Sequence, residues 1–259
     1  MLLRKRFLVA RVSIVTIVKD HVTGLLNTHA SVVRQTYSDW EMLIVVGNSN
    51  DDTLLTARAL ESHDSRIKVL EQKGDGIYGA MNEGLEIADG EFVWFMNAGD
   101  KFAENNVLSK AVNEMSRSDI GLLVGGYQIE GGGNQQIYTF PKKDLKIFSF
   151  AFNRRGGCHQ AMIFRTLPLK KLGGYEPIYT LAGDFKLILK VIRDEGARRV
   201  SDVYAEIEPG GRADQGILLV HSQKHSIRKE ILKGPFVLFL SFAWTKLASF
   251  KIRMRNRLT

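Results

Sequence analysis

Strand-like runs alternate with helix-patterned segments along the first half of the chain, and this order constrains the fold more than any other feature of the sequence. β-Branched or fully apolar runs lie at residues 12–18, 41–46, 67–70 and 92–96. Apolar residues recur with helical spacing at 22–35 and at 79–88. The alternation predicts a Rossmann-like α/β fold in which helices flank a mostly parallel sheet. We expect ligands at the carboxyl ends of the strands, in the loops that follow them.

The second half of the chain is less regular, and its patterns predict shorter elements. Strand-like, apolar and helical patterns follow one another at 122–129, 136–140, 145–152, 161–164 and 181–192. No internal repeat is present. A length of 259 residues suits one substantial core with an appendage, so we expect a single domain over 1–220 and a tail over 221–259.

The formal charge of +8 lies entirely in the tail. Residues 221–259 hold nine basic residues and one acidic residue, and nine minus one equals the whole surplus of eight. A neutral body with a basic tail is not the charge distribution of a protein that reads a nucleic-acid groove. We therefore expect no nucleic-acid partner, and binding of RNA or DNA by the tail is a disfavoured hypothesis.

Cysteine content and the N-terminal residues indicate a cytoplasmic setting. Cys158 is the only cysteine, which excludes an intramolecular disulfide framework and favours a reducing compartment. Basic residues at 4–6 precede an apolar stretch, 7–18, that Arg11 interrupts and that lacks a small-residue cleavage pattern. A first β-strand explains this stretch better than a signal peptide does.

The strongest local signal is an apolar strand that ends at a carboxylate. Residues 92–96 are fully apolar, and Asn97-Ala-Gly-Asp100 follows them directly. An oxygen ligand at this position, such as Asp100, can hold Mg²⁺ or Mn²⁺ against the oxygens of a bound diphosphate. The alternative is a turn in which Asp100 only caps the chain that follows.

A glycine-rich segment, Gly74 to Gly84, lies one helix and one strand before this carboxylate. Glycines at 74 and 76 allow the backbone to approach a ligand closely, and Asp75 and Asn82 add polar groups near a helix N-terminus. A glycine-rich turn before a helix is weak evidence when it is taken alone. Its position relative to Asp100 gives it weight.

Taken together and in this order, the motifs resemble family 2 glycosyltransferases of the GT-A fold. They are similar in particular to the subgroup found in bacterial exopolysaccharide and O-antigen gene clusters. The matching segments are residues 12–18, 31–37, 49–53, 75–84 and 97–100. The resemblance covers about residues 12–212 and implies an inverting transfer of one sugar from a nucleotide-diphosphate sugar. It also implies a divalent cofactor, Mn²⁺ or Mg²⁺, and it favours UDP-sugars over GDP- or dTDP-sugars.

The resemblance assigns roles to individual positions of this sequence. Asp100 matches the carboxylate that holds the metal ion. The positions that match nucleotide-sugar contacts are Thr16, Val18, Asn48, Asp75, Tyr78, Asn82, Asn97, Ala98, Gly99 and Arg212. Three positions depart from the family pattern, because Val46, Gly79 and Gly99 stand where relatives commonly carry acids.

The second half supplies a candidate catalytic base. Leu181-Ala-Gly-Asp184 resembles the family motif that opens a helix on the acceptor side, and direct displacement requires one carboxylate to accept the proton of the acceptor hydroxyl. The alternative for Asp184 is an ordinary helix N-cap. His159 and Gln160 resemble a segment that this subgroup carries beside the active site, which implies that His159 and Gln160 contact the acceptor, or that His159 binds a phosphate; a structural histidine is an equal alternative. The Gln-x-x-Arg-Trp signature of processive synthases is absent from the sequence, which favours transfer of a single sugar.

The tail contains the most apolar stretch of the sequence, residues 235–245, between clusters of basic residues. Eleven residues span about 16 Å as a helix, roughly half of a bilayer core, so an interfacial helix is favoured over a membrane span. Packing against the domain or a second copy is the alternative. We expect a protein peripheral to the inner face of the cell membrane, acting on a polyprenyl-diphosphate-linked saccharide. A catalytically silent scaffold of the same fold is the alternative function.

Overall fold

The computed structural model describes residues 12–131, 134–152, 157–210 and 216–233. The described residues form ten strands, eight α-helices and one 3-10 helix, His159–Ala161. The strands are β1 Val12–Val18, β2 Trp40–Val46, β3 Ile67–Glu71, β4 Phe92–Phe95, β5 Lys101–Phe102, β6 Leu122–Gly131, β7 Asn134–Tyr138, β8 Lys143–Asp144, β9 Met162–Arg165 and β10 Ala197–Ile207. The helices are α1 Val22–Val33, α2 Thr53–His63, α3 Gly76–Ile87, α4 Val107–Ser116, α5 Ile147–Ala151, α6 Thr166–Lys171, α7 Gly183–Asp194 and α8 Ile217–Leu232.

All ten strands belong to one sheet, whose main path is β3-β2-β1-β4-β9-β6-β10-β5. Strands β3, β2, β1 and β4 are parallel, and β6 and β10 are parallel. Strand β9 joins these two blocks because it pairs antiparallel with both β4 and β6. The expected α/β fold with a mostly parallel central sheet is confirmed, and the carboxyl ends of its long parallel strands share one edge.

The sheet has apolar layers on both faces, which explains why its first strands read as continuous apolar runs. Every residue of β1 and β2 is buried. Val15 and Ile17 of β1 belong to the layer that α3 and α7 cover, whereas Ile14 and Val18 belong to the layer that α1 and α4 cover. A parallel strand covered on both sides has no solvent-facing side chains, so it shows no polar alternation.

Three elements begin or run differently from the sequence pattern. Helix α3 starts at Gly76, three residues before the expected start, and α7 starts at Gly183, so Asp184 is its second residue rather than its N-cap. Helix α8 crosses the expected boundary between residues 220 and 221, and its Ile227 and Ile231 are buried in the same layer as α7.

The apolar stretch 235–245 lies outside the described residues. Within the described ranges, no helix combines the length and the hydropathy that crossing a membrane requires.

We predict that two glycines of α3 respond in opposite ways to alanine. A Cβ at Gly84 would lie 2.4 Å from Cγ1 of Val15 and 3.3 Å from Cγ2 of Val45, so Gly84→Ala should lower the free energy of unfolding by about 1–3 kcal/mol. A Cβ at Gly79 meets no atom nearer than 3.9 Å, so Gly79→Ala should raise it by up to about 1 kcal/mol. Urea denaturation measures both, and equal stabilities would contradict the close packing of α3 on β1.

Candidate active site

A cavity of about 810 Å³ opens at the carboxyl ends of β1 to β4. Five of the residues expected to bind the nucleotide sugar line it: Val18, Asn48, Asp75, Asn97 and Ala98. The sequence patterns did not single out several further lining residues, namely Lys19, Asp20, His21, Gln72 and Lys73. Lysines placed between the strand ends make part of this cavity suitable for an anion.

The loops around the cavity are fixed to each other by hydrogen bonds. Oδ1 of Asp20, after β1, accepts the N–H of Asn50, after β2, at 2.6 Å. Glu83 of α3 accepts the backbone N–H groups of Lys73 and Gly74 at 2.7–3.1 Å. Asp75 stands at the N-cap of α3 but makes no side-chain capping bond, so its carboxylate is available to a ligand in the cavity.

Buried hydroxyl groups on helix α1 form hydrogen bonds with the backbone of the turn that follows β4. The hydroxyl of Thr28 donates to the carbonyl oxygen of Asp100 at 2.7 Å and accepts the N–H of Gly99 at 3.0 Å. One turn later, the hydroxyl of Ser31 accepts the N–H of Phe102 at 3.2 Å. These hydrogen bonds fix the backbone of the turn, and the backbone in turn sets the direction in which the Asp100 side chain points.

The Asp100 carboxylate is buried, with 5% of the residue exposed, and residues distant in the sequence hold both of its oxygens. Its Oδ1 accepts the N–H of Glu208 at 2.9 Å, and its Oδ2 accepts Nε2 of Gln160 at 2.7 Å. Burial raises the pKa of the Asp100 carboxyl to about 6, and these two donors limit the rise. A divalent cation beside it would stabilise the ionised form.

Gln160 lies behind Asp100. Its Oε1 accepts the thiol of Cys158 at 2.5 Å, and its carbonyl oxygen accepts Nε1 of Trp94 at 2.7 Å. Burial raises the pKa of the Cys158 thiol, which keeps it protonated as a donor. The structure thus places the Gln160 side chain against the expected metal carboxylate, while its expected contact with an acceptor stays a prediction.

Asp184 contacts residues from the other half of the domain. Its Oδ1 accepts the hydroxyl of Tyr78 at 3.2 Å, and its Oδ2 lies 3.5 Å from Nδ1 of His159. The other ring nitrogen of His159 lies 3.4 Å from Nδ2 of Asn97. His159 therefore connects the expected base to the turn that carries Asp100.

The electrostatic surroundings of Asp184 keep it ionised. Burial raises its pKa, but a hydrogen bond from His159 and the charges of His159 and Lys224 outweigh burial, so the pKa lies below its usual value. Lys224 belongs to α8, and its Nζ lies 5.0 Å above the ring of Phe185. Sequence reasoning counted Lys224 only as part of the basic tail, and nothing in its local pattern indicates its position beside the base.

The remaining expected residues have different surroundings. Thr16 is fully buried inside β1 and does not line the cavity. The Asn82 side chain donates to the carbonyl oxygen of Tyr175 and accepts its N–H, both at 2.8 Å. Gly99 has a positive φ of 100° beside the side chain of Glu208. Arg212 lies outside the described residues.

Comparison with known proteins places this site in a family. The model of glycosyl transferase family 2 matches residues 13–173, more than half of the chain. The chain belongs to this family. The expected membership is confirmed, and the match covers the cavity, Asp100 and the His159 segment.

Two relatives of this family 2 protein share 28% of their aligned residues with it. The UDP-Glc:alpha-D-GlcNAc-diphosphoundecaprenol beta-1,3-glucosyltransferase WfgD of Escherichia coli aligns over 66% of each chain. A PGL/p-HBAD biosynthesis glycosyltransferase of Mycobacterium bovis (strain BCG / Pasteur 1173P2) aligns over 60% of this chain and 59% of its own. The chain therefore spans about two thirds or less of the length of these relatives.

Solved structures confirm the GT-A fold. S. aureus TarS 1-349 in complex with UDP superposes with a TM-score of 0.65 at 17% identity, covering 86% of this chain and 70% of TarS. The mannosyltransferase PcManGT from Pyrobaculum calidifontis in complex with GDP-Man and Mn²⁺ gives 0.68 at 16% identity, covering 92% and 70%. At these identities the matches concern the fold alone.

The residues around Asp100 fit a hard divalent cation that a ligand helps to hold. Within the described ranges, no group of three or more histidine, cysteine, aspartate or glutamate side chains forms a complete metal cage. Mg²⁺ and similar ions are often bound by one or two carboxylates, with phosphate oxygens and water completing the shell. The cavity reaches the turn that carries Asp100 at Asn97 and Ala98.

We predict that Gln160→Leu lowers the free energy of unfolding by about 1–3 kcal/mol, because it leaves Oδ2 of Asp100 and the Cys158 thiol without their hydrogen bonds. Gln136→Leu makes the same exchange at an exposed position of β7 and should change stability by less than about 0.5 kcal/mol. Urea denaturation compares the two variants. A Gln160→Leu protein as stable as the Gln136→Leu protein would contradict the network behind Asp100.

Proposed function

We propose that this protein is an inverting, metal-dependent glycosyltransferase that moves one sugar from a nucleotide-diphosphate sugar to a lipid-linked saccharide. The observation that carries the proposal is the meeting of three features at one sheet edge. These are the cavity after β1 to β4, the buried carboxylate of Asp100, and the Asp184 carboxylate linked to the same turn through His159.

The cavity is proposed to hold the nucleotide and the diphosphate. Its volume of about 810 Å³ lies within the usual range of small-molecule sites. The N-terminus of α3 opens into it, where Gly74, Asp75 and Gly76 line the wall, and helix N-termini favour phosphate groups. UDP-sugars are preferred over GDP- and dTDP-sugars, in keeping with the UDP-Glc named for the Escherichia coli relative and the UDP bound by TarS.

Asp100 is proposed to bind Mn²⁺ or Mg²⁺, with support from the Mn²⁺ bound by PcManGT. When bound, such an ion neutralises the negative charge that develops on the departing diphosphate. Gln160 and the backbone of Glu208 hold the Asp100 carboxylate in place, so little reorganisation is needed when the donor enters.

Asp184 is proposed to act as the general base. As the acceptor hydroxyl oxygen forms its bond to the anomeric carbon, its proton passes to the Asp184 carboxylate, and the bond from that carbon to the diphosphate oxygen breaks. A single displacement inverts the configuration at the anomeric carbon. Tyr78 and His159 hold the carboxylate from two sides, and His159 can also contact the acceptor.

The acceptor is proposed to be a saccharide on a polyprenyl diphosphate, because the Escherichia coli relative is named for a diphosphoundecaprenol acceptor. The apolar stretch 235–245 and the basic residues that follow it in the sequence, at 246, 251, 253, 255 and 257, suit the anionic inner face of a cell membrane, where such a carrier is present. We therefore propose a peripheral position there, with residues 1–220 as the transferase domain. A silent scaffold is the second candidate, which the replacements Val46, Gly79 and Gly99 favour.

We predict that Asp184→Asn lowers Mn²⁺-dependent release of UDP from UDP-glucose by at least about a hundredfold, because the general base is lost. Its affinity for UDP should stay within about twofold of wild type, since Asp184 does not line the cavity. Asp194→Asn, at the other end of α7, is the matched control and should retain full turnover. The assay is run with an N-acetylglucosaminyl-diphospholipid acceptor, and GDP-mannose is tested in parallel.

Wild-type turnover by the Asp184→Asn protein would remove Asp184 from the mechanism. A wild-type protein that binds UDP and releases none of it from these donors, with or without acceptor, would instead support the scaffold.

A further inference from the structure

The side chain of Glu208 occupies the space that an acidic residue at position 99 would fill. The resemblance to family 2 glycosyltransferases implies an acid at this position, where the chain has Gly99. A Cβ built on Gly99 would lie 2.1 Å from Oε2 of Glu208 and 2.7 Å from its Cδ. The carboxyl group of Glu208 is thus in contact with the backbone of residue 99, so the turn lacks its own second acid but has another one beside it.

Strand pairing places Glu208 there. Strand β10 pairs antiparallel with β5, and the partners are Ala205 with Phe102 and Glu206 with Lys101. Counting two further residues along each strand brings Glu208 opposite Gly99. The N–H of Glu208 also donates to Oδ1 of Asp100 at 2.9 Å, so its backbone is fixed against the same carboxylate. The backbone position of Glu208 therefore follows from the fold.

The charges around Glu208 favour a cation. Its carboxylate is 46% exposed, and the basic group nearest to it in the described structure is His21, whose Nε2 lies 3.4 Å from Oε2. Asp100 is the neighbouring acid, because its Oδ1 accepts the backbone N–H of Glu208. Two neighbouring carboxylates repel each other in the ligand-free protein, and a divalent ion between them reverses the sign of that interaction.

Two other acidic residues at this edge of the sheet, Glu206 and Asp75, do not lie beside Gly99 as Glu208 does. Glu206, two residues earlier on β10, forms an ion pair with Lys101 and accepts a hydrogen bond from Gln128. Asp75 lies across the cavity on the N-terminus of α3. Glu208 is therefore the acid whose position matches the missing side chain.

We propose that Glu208 supplies the second carboxylate ligand of the divalent ion and replaces the acid that Gly99 lacks. This inference rests on the proposed function, because it assigns a ligand to the metal ion of the same site. Two carboxylates, one from the turn before β5 and one from the residue after β10, would together with diphosphate oxygens and water form the oxygen-rich environment that Mn²⁺ and Mg²⁺ prefer.

The test measures the affinity of the full chain for Mn²⁺. Electron paramagnetic resonance reports the concentration of free Mn²⁺, and the titration is done with MnCl₂ alone and with MnCl₂ plus UDP. Glu208→Gln should weaken the affinity for Mn²⁺ by about tenfold or more. Glu206→Gln removes the same charge from the same strand and should leave the affinity unchanged, whereas Asp100→Asn should lose binding. Melting temperatures of the metal-free proteins form the second measurement, and Glu208→Gln should melt no lower than wild type because one like-charge repulsion is gone.

The possible outcomes separate a failure of the Glu208 inference from a failure of the proposed function. Wild-type Mn²⁺ affinity in Glu208→Gln, combined with loss of binding in Asp100→Asn, overturns the role of Glu208 and leaves the proposed function standing. A lower melting temperature of metal-free Glu208→Gln, with an unchanged Mn²⁺ affinity of its folded fraction, assigns Glu208 a structural role and likewise overturns the inference. Failure of the wild-type protein to bind Mn²⁺ with or without UDP contradicts the metal-dependent function itself.

Discussion

A buried carboxylate at the end of β4 is the constraint on which the rest of this structure depends. Moving an ionised carboxylate out of water costs several kcal/mol unless hydrogen bonds or a cation compensate it. Asp100 obtains its two side-chain hydrogen bonds from Gln160 and the backbone of Glu208, which are 60 and 108 residues away in the sequence. Thr28 of α1 fixes the carbonyl group of the same residue. Helix α1, the segment before β9 and the end of β10 must all be in place before this carboxylate can be buried.

The same constraint joins the two halves of the proposed reaction. The segment Cys158 to Gln160 reaches Asp100 through Gln160 and reaches Asp184 through His159. A short stretch of chain thus sets the relative position of the carboxylate proposed for the metal ion and the carboxylate proposed for the base. Because β9 pairs with both β4 and β6, this stretch is anchored to a strand at the centre of the sheet. The sheet therefore fixes the relative position of these two carboxylates.

The sequence predicted the parts of the fold that local patterns control, and it missed the parts that depend on distant pairing. Strands β1 and β4 are buried on both faces, so their apolar runs identify them directly. Strand β10 mixes charged and apolar residues and includes Arg199, of which only 3% is exposed, so its pattern resembles an exposed loop. The position of Glu208 follows from the register of β10 against the two-residue strand β5, which no local pattern encodes. Asp184 was expected at the opening of a helix, and the structure places it in the first turn of α7, while its role as the base stays a prediction.

The central claim is that Asp100 binds a divalent ion that also contacts the diphosphate of the donor. The most direct measurement is the anomalous scattering of manganese in crystals of the full chain grown with MnCl₂ and UDP. The account predicts an anomalous peak within coordination distance of both the Asp100 carboxylate and the UDP phosphates. Crystals in which UDP fills the cavity while no manganese peak lies beside Asp100 would contradict it.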